Sequence, residues 1–265
     1  VTSGMADGDV KNVDAKEETP SVEFKNVSLT YSGSGAPSVE GINFKAMKGQ
    51  TIGVIGGTGS GKSSLVNLIP RLYDTTQGEV LVDGVNVKDY DIETLRNKVG
   101  IVMQKAVLFK GTIRENMWMG KKSATDEQID EALEISQSKE FVDSKQGRLD
   151  YVIEQGGKNL SGGQRQRLTI ARAIVRKPDV LILDDSASAL DFATDAALRK
   201  AIRGMNNSPT VFIVSQRAAS LMYADLIIVL DDGQVAGMGT HDELLANCEV
   251  YKEIYESQFK KADSE

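Results

Sequence analysis

The sequence is short of several things, and each shortage narrows the reading. Among 265 residues there is one cysteine, Cys248, so no disulfide can form within the chain and a reducing compartment fits. No stretch approaches the roughly 18 consecutive apolar residues of a membrane span. Residues 1–20 hold no apolar core of the kind a signal peptide needs. Positive charge is not in excess: 31 Lys and Arg face 38 Asp and Glu, a net charge of −7, which argues against a nucleic-acid partner. His241 is the sole histidine. There is no internal repeat and no low-complexity tract. What remains is the ordinary make-up of a globular chain, 40% hydrophobic and 26% charged. That is enough for one large α/β domain, or for a core domain with a sub-domain.

Residues 1–20 are charged and poor in large apolar side chains, and read as a solvated linker or tail. The pattern then changes, and one domain is expected over 21–258, with a short tail at 259–265. Val22-Glu23-Phe24 and Val27-Ser28-Leu29-Thr30-Tyr31 alternate as two strands. Thr51–Ile55, Ile101–Met103, Val180–Leu183, Val211–Val214 and Leu226–Leu230 are short apolar runs that suit buried strands. Helical patterns lie between several of them. The class is therefore α/β, with a mostly parallel sheet covered by helices on both faces and a smaller antiparallel β part. Asp83-Gly84 and Asp232-Gly233 read as hairpin turns. About 112–170 shows no strong strand signal and suggests an inserted all-helical sub-domain.

Three motifs carry chemistry. Gly56-Gly57-Thr58-Gly59-Ser60-Gly61-Lys62-Ser63 fits G-x-x-x-x-G-K-[ST] between a strand and an apolar helical run that follows Ser64, the context of a P-loop. Glycines let successive N–H groups point at phosphate oxygens, and the helix start adds partial positive charge. Lys62 would reach the β- and γ-phosphates, and the Ser63 hydroxyl would ligate Mg²⁺; the bland reading is a Gly-rich turn with an incidental lysine. Asp184 ends the run Val180-Leu181-Ile182-Leu183, where open α/β sheets bind ligands, and suits a metal-holding carboxylate or else a simple helix cap. Leu160-Ser161-Gly162-Gly163-Gln164 precedes a helical stretch, with Ser161 as its cap. It is either a second phosphate-binding helix start acting across a dimer, or only a capped helix.

The order of these motifs resembles the ABC superfamily, over about residues 22–258. The resemblance implies a P-loop NTPase core that binds ATP and Mg²⁺ and hydrolyses ATP. It also implies a head-to-tail pair of cassettes, so that Ser161, Gly162, Gly163 and Gln164 contact ATP held on the partner's P-loop. Tyr31 matches the aromatic that stacks on adenine, although a core or edge-strand role stays open. Gln104 matches the glutamine that ligates Mg²⁺ and water near the membrane-domain contact, and Ala189-Leu190-Asp191 matches the loop that crosses the dimer interface. The stretch from Leu95 to Asn116, with Glu154 and Gly156 before the signature, is similar to exporter cassettes fused to a transmembrane domain. That implies a place at the cytoplasmic face of the cell membrane. Gln155 departs from the arginine common there.

Two further departures bear on chemistry. Asp185 stands where the family usually has the glutamate that orients the attacking water, and its carboxylate is shorter by roughly 1.5 Å. Gln216 stands where the family has a histidine at the γ-phosphate, and glutamine cannot serve as acid or base near neutral pH. His241 falls in a Gly239-Thr240-His241 run and suits a helix-starting role. Together these predict an own-site that binds nucleotide and turns over slowly, beside an intact signature. That pattern resembles the degenerate-site subunit of a heterodimeric exporter; the alternatives are a working homodimeric exporter that tolerates both residues and, more distantly, a homodimeric ABC ATPase with no transport role.

Overall fold

The computed structural model describes residues 18–186 and 188–262, so the residues expected to form a linker lie mostly outside the described part. β1 (Val22–Leu29) and β2 (Val39–Ala46) form an antiparallel pair. β1 is one strand where alternation predicted two. Asn26 takes a left-handed φ of 46° and shifts the register between Phe24 and Val27, so the alternation breaks without ending the strand. Asparagine tolerates that backbone better than most residues. Next come β3 (Thr51–Gly56) and the short α1 (Lys62–Asn67). β4 (Gln77–Val82) joins β1 and turns through Asp83-Gly84 into β5 (Val85–Asn86). Both turn residues have positive φ, 50° and 78°, which suits a right-twisted two-residue hairpin. These strands make a four-stranded antiparallel sheet, ordered β2-β1-β4-β5.

α2 (Ile92–Lys98), capped by Asp91, leads into β6 (Val99–Val102). β7 (Gly111–Thr112) opens a helical segment of α3 (Ile113–Gly120), α4 (Asp126–Ile135) and α5 (Lys139–Asp143), and β8 (Val152–Ile153) pairs back onto β7. The segment expected to be all helical thus holds one small β ladder. Capping boxes at Thr112/Glu115 and Thr125/Gln128 start α3 and α4. Arg148 then clamps Asp130 of α4 and Asp143 of α5, each at 2.5 Å. α6 (Gly162–Ile174) packs on α3 and α4.

β9 (Val180–Asp184), α7 (Phe192–Arg203), β10 (Thr210–Val214), β11 (Leu226–Asp231) and β12 (Gln234–Gly239) follow, then α8 (His241–Asn247) and α9 (Glu249–Ala262). Asp232-Gly233 turns from β11 to β12 with φ of 46° and 79°. α9 runs to Ala262, into the segment 259–265 expected as a tail. The larger sheet is ordered β12-β11-β3-β10-β9-β6, with every pairing parallel except β11–β12.

Side-chain alternation along the parallel strands divides the interior in two. Ile52, Val54, Ile182, Phe212, Val214 and Ile228 face the antiparallel sheet. There Phe44 stacks on Phe24 at 4.5 Å and meets Phe212 at 6.2 Å. Leu181, Leu183, Val211, Ile213, Ile227 and Val229 face the opposite way, into the core shared with α6, α7 and α9. These strands are buried on both faces, which is why they read as unbroken apolar runs.

Candidate functional site

Three loops leave the large sheet at the C-terminal ends of β3, β9 and β10. Val54, Val214 and Asp184 are register partners on one rung of those strands. The loops therefore open on one edge, where parallel sheets expose a crevice.

The first loop runs from Gly56 to Ser63. Gly59 and Gly61 take φ of 77° and 99°. A Cβ at Gly61 would lie 2.4 Å from the Ser38 carbonyl oxygen, so a side chain is excluded there. Nothing lies within 4 Å of where a Cβ would sit at Gly57 or Gly59, which leaves that backbone open to an approaching group. Lys62 folds back over the loop, its Nζ donating to the carbonyls of Gly56 at 2.9 Å and Gly57 at 2.7 Å. Ser60 is buried, with its Oγ 3.5 Å from the same nitrogen. Burial pulls the Lys62 pKa down, and the carboxylates of Asp184 and Asp185 push it back up.

Asp184 closes β9 and is only 8% exposed. Burial raises its pKa, the neighbouring Asp185 raises it further, and a hydrogen bond from the Ser63 hydroxyl and the charge of Lys62 oppose the rise. Asp185 follows in the left-handed region at φ 45°. Its N–H donates to Val214 O at 2.9 Å, and its Oδ2 accepts from Gln104 Nε2 at 3.2 Å. Gln104 itself stands two residues beyond the end of β6.

These groups surround a single cavity of about 370 Å³. Thr58, Gly59, Gly61, Lys62, Ser63 and Ser64 line one side, and Gln104, Asp184, Asp185 and Gln216 line the other. Ser38 and Ser215 also line it, although no motif marked them. Ser38 enters only because Gly61 lets the two backbones approach. Among the described residues no group of three or more His, Cys, Asp or Glu could hold a metal. The oxygens of Ser63, Asp184 and Gln104 instead suit a hard cation that shares oxygens with a bound ligand. A second, apolar cavity of about 250 Å³ under α7, walled by Leu183, Phe192, Ile213 and Tyr223, holds none of the motif residues.

Tyr31 is not among the cavity-lining residues. It lies beyond the end of β1, packs edge-on against Tyr73 at 4.9 Å and is hydrogen-bonded to Ser64 Oγ at 2.9 Å. It thus touches Ser64, one of the cavity-lining residues. The signature residues lie elsewhere as well. Ser161 Oγ accepts from Gln164 N at 3.2 Å and Gln164 Oε1 accepts from Ser161 N at 3.1 Å, a reciprocal cap on α6. Ser161 and Gly162 are exposed, Gly163 lies against the Ala189 carbonyl, and no acid occupies the first turn. The helix start therefore presents bare N–H groups and a positive dipole end to solvent. His241 opens α8, with its Nδ1 2.8 Å from the buried Tyr251 hydroxyl.

A doubly covered parallel sheet with a glycine loop after β3 and an acid closing β9 is the P-loop NTPase architecture. The family model described as ABC transporter matches residues 39–188, and the chain belongs to that family. It is 43% identical over 244 residues to the uncharacterized ABC transporter ATP-binding protein YfiB of Bacillus subtilis (strain 168), covering 92% of this chain and 42% of that protein. It is 38% identical over 237 residues to a putative multidrug export ATP-binding/permease protein of Staphylococcus aureus (strain NCTC 8325 / PS 47), covering 89% of this chain and 41% of that protein. A bacterial Atm1-family ABC exporter, solved with ATP bound, superposes with a TM-score of 0.85 at 32% identity, over 90% of this chain and 42% of that one. The chain thus spans about two fifths of the length of these relatives. No described helix is long and apolar enough to cross a membrane.

Proposed function

We propose that this chain is the ATP-binding cassette of an exporter, that it binds Mg-ATP in the cavity between its P-loop and Asp184, and that it works at the cytoplasmic face of the cell membrane beside a transmembrane domain. The observation that carries the reading is the convergence of Lys62, Ser63, Gln104, Asp184, Asp185 and Gln216 on one cavity from four separate segments. The groups fit the nucleotide. The loop at Gly57 and Gly59 has room for phosphate oxygens against its N–H groups. Lys62 is buried and already aimed at loop carbonyls, which a phosphate can replace as partner. Asp184 is a buried acid whose charge a cation would compensate, hydrogen-bonded to the Ser63 hydroxyl that would share that cation. Bound Mg²⁺ would supply charge neutralisation at the phosphates. Lys62 holds charge at the β- and γ-oxygens, and Gln104 and Asp185 orient water at the far end.

Ser161, Gly162, Gly163 and Gln164 do not line this cavity, so their phosphate-binding helix start serves the nucleotide of a second cassette. Asp185 and Gln216 replace the longer carboxylate and the imidazole, so the chain's own site turns over slowly and its partner is a different chain with a consensus site. One contact favours a second reading, an active homodimer: the short Asp185 carboxylate already reaches Gln104. Calorimetric titration with Mg-ATP, followed by hydrolysis assays of the chain alone and mixed with a consensus-site exporter cassette, separates the two. Tight binding with slow turnover alone and faster turnover in the mixture is expected. Fast turnover by the chain alone would place it with the homodimers, and no Mg-dependent binding would sink the ATP-site reading.

A further inference from the structure

The segment that carries Gln216 is held from outside the nucleotide cavity. After β10 ends at Val214, Ser215 N donates to Val54 O at 3.1 Å and Ser215 Oγ accepts from Arg217 N at 3.0 Å. Ser220 N donates to the Arg217 carbonyl at 3.1 Å, and a longer-range restraint comes from Gln258 in α9. Its Nε2 donates to the Gln216 carbonyl at 2.7 Å, and its Oε1 accepts from Ala218 N at 2.9 Å. One amide therefore brackets Gln216 and Ala218 across Arg217. One partner is a carbonyl and the other an N–H, so this orientation of the amide satisfies both and the flipped one neither.

α9 is well placed to serve as the anchor. Tyr251 is fully buried and its hydroxyl is bonded to His241 Nδ1. Tyr255 packs on His241 at 5.2 Å and on Phe259 at 4.3 Å. Tyr251, Tyr255 and Gln258 follow helical spacing, so the stripe that seats α9 also delivers the amide to the loop. The helix packs against β11, β12 and the 3₁₀ turn Ala218–Ser220. Gln258, Asp185 and Gln216 line one shared opening.

We infer that Gln258 is a positioning residue for ATP hydrolysis: its amide fixes the backbone on both sides of Gln216, and so sets where the Gln216 side chain meets the γ-phosphate. The inference rests on the ATP-site reading above. It makes the C-terminal helix part of the hydrolytic apparatus, although no residue of that helix touches the nucleotide cavity among its lining residues.

The test uses Gln258→Met, which keeps length and packing and removes both bonds, in the parent and in a Gln216→Ala background. Mg-ATP affinity, kcat, KM and amide exchange at Ala218 are measured for each. Loss of its acceptor should speed exchange at Ala218 about fivefold or more. Loosening of the switch should lower kcat about tenfold with KM little changed, since misplacement of about 1 Å at a reacting group can cost more than that. In the Gln216→Ala background the kcat loss should vanish, because the residue being positioned is gone. Equal kcat losses in both backgrounds, or Ala218 exchange and kcat unchanged by Gln258→Met, would overturn the inference while leaving the ATP site intact. Absence of Mg-ATP affinity in the parent would overturn the ATP-site reading and this inference with it.

Discussion

Asp185→Glu sets two effects of one methylene against each other. The longer side chain extends the carboxylate by roughly 1.5 Å from the end of β9 into the cavity that Gln216 and Lys62 also line. If the shortfall limits water activation, recovering it should raise kcat by about 10- to 100-fold, since errors near 1 Å cost on that order. The backbone opposes the change. Asp185 sits at φ 45°, a region that costs ordinary L residues about 1–2 kcal/mol and that Asp and Asn enter more easily. The variant should therefore lose roughly 0.5–1 kcal/mol of stability, an expected Tm decrease of about 1–4 °C for a chain of this size. Gln104 donates to Asp185 at 3.2 Å, and a glutamate must release or remake that bond, so a modest change in KM is expected. Steady-state hydrolysis with saturating Mg-ATP and a thermal melt check both halves. A folded variant whose kcat stays within about twofold of the parent refutes the claim that carboxylate reach limits turnover. Adding Gln216→His should raise kcat further.

Lys62→Ala removes a buried ammonium that the loop carbonyls and two carboxylates hold in the cavity, and should weaken Mg-ATP binding at least about tenfold by calorimetry; unchanged affinity would mean the loop binds something else. Asp184 has its pKa raised, chiefly by burial, so its ionised form destabilises the free chain: stability falls as pH rises through the unfolded pKa toward the folded one. Asp184→Asn should therefore raise the Tm of the nucleotide-free chain at neutral pH and abolish the Mg²⁺ dependence of binding, and a lower Tm would contradict the burial argument. Ser161→Ala removes a helix cap worth about 1 kcal/mol, an expected Tm loss of about 2–4 °C, and should leave nucleotide affinity of the lone chain unchanged. Hydrolysis in the two-cassette mixture should fall with it, and intact activity there would confine Ser161 to capping.

The parts that were legible in the sequence are those whose chemistry is written in consecutive residues. A phosphate loop needs glycines at fixed offsets, and the P-loop announced itself by them. Strands buried on both faces need unbroken apolar runs, and β3, β9, β10 and β11 were recognised that way. β1 reads as two strands because the bulge at Asn26 breaks the period without ending the strand. β2 leaves no clean alternation because its apolar positions, Val39, Ile42, Phe44 and Ala46, slip register after Gly41, which has φ of 63°. Ser38 and Gln258 could not be found by pattern at all. Each acts through a contact between residues far apart in the chain, Ser38 with Gly61 and Gln258 with Gln216, and no local periodicity reports such a meeting. Tyr31 is a further case of contact across the chain: its side chain meets Ser64, a lining residue, and packs on Tyr73, neither of which its strand pattern announces.

The common rung through Val54, Val214 and Asp184 also constrains how such a chain can change in length. Inserting or deleting one residue within β3, β9 or β10 slides everything beyond it by about 3.3 Å and turns each side chain to the other face. Lys62, Gln216 or Asp184 would then miss the cavity while the two cores exchanged their apolar lining. Length variation in descendants of this sequence should therefore collect in segments such as the exposed turn at residues 32–37, and avoid those three strands.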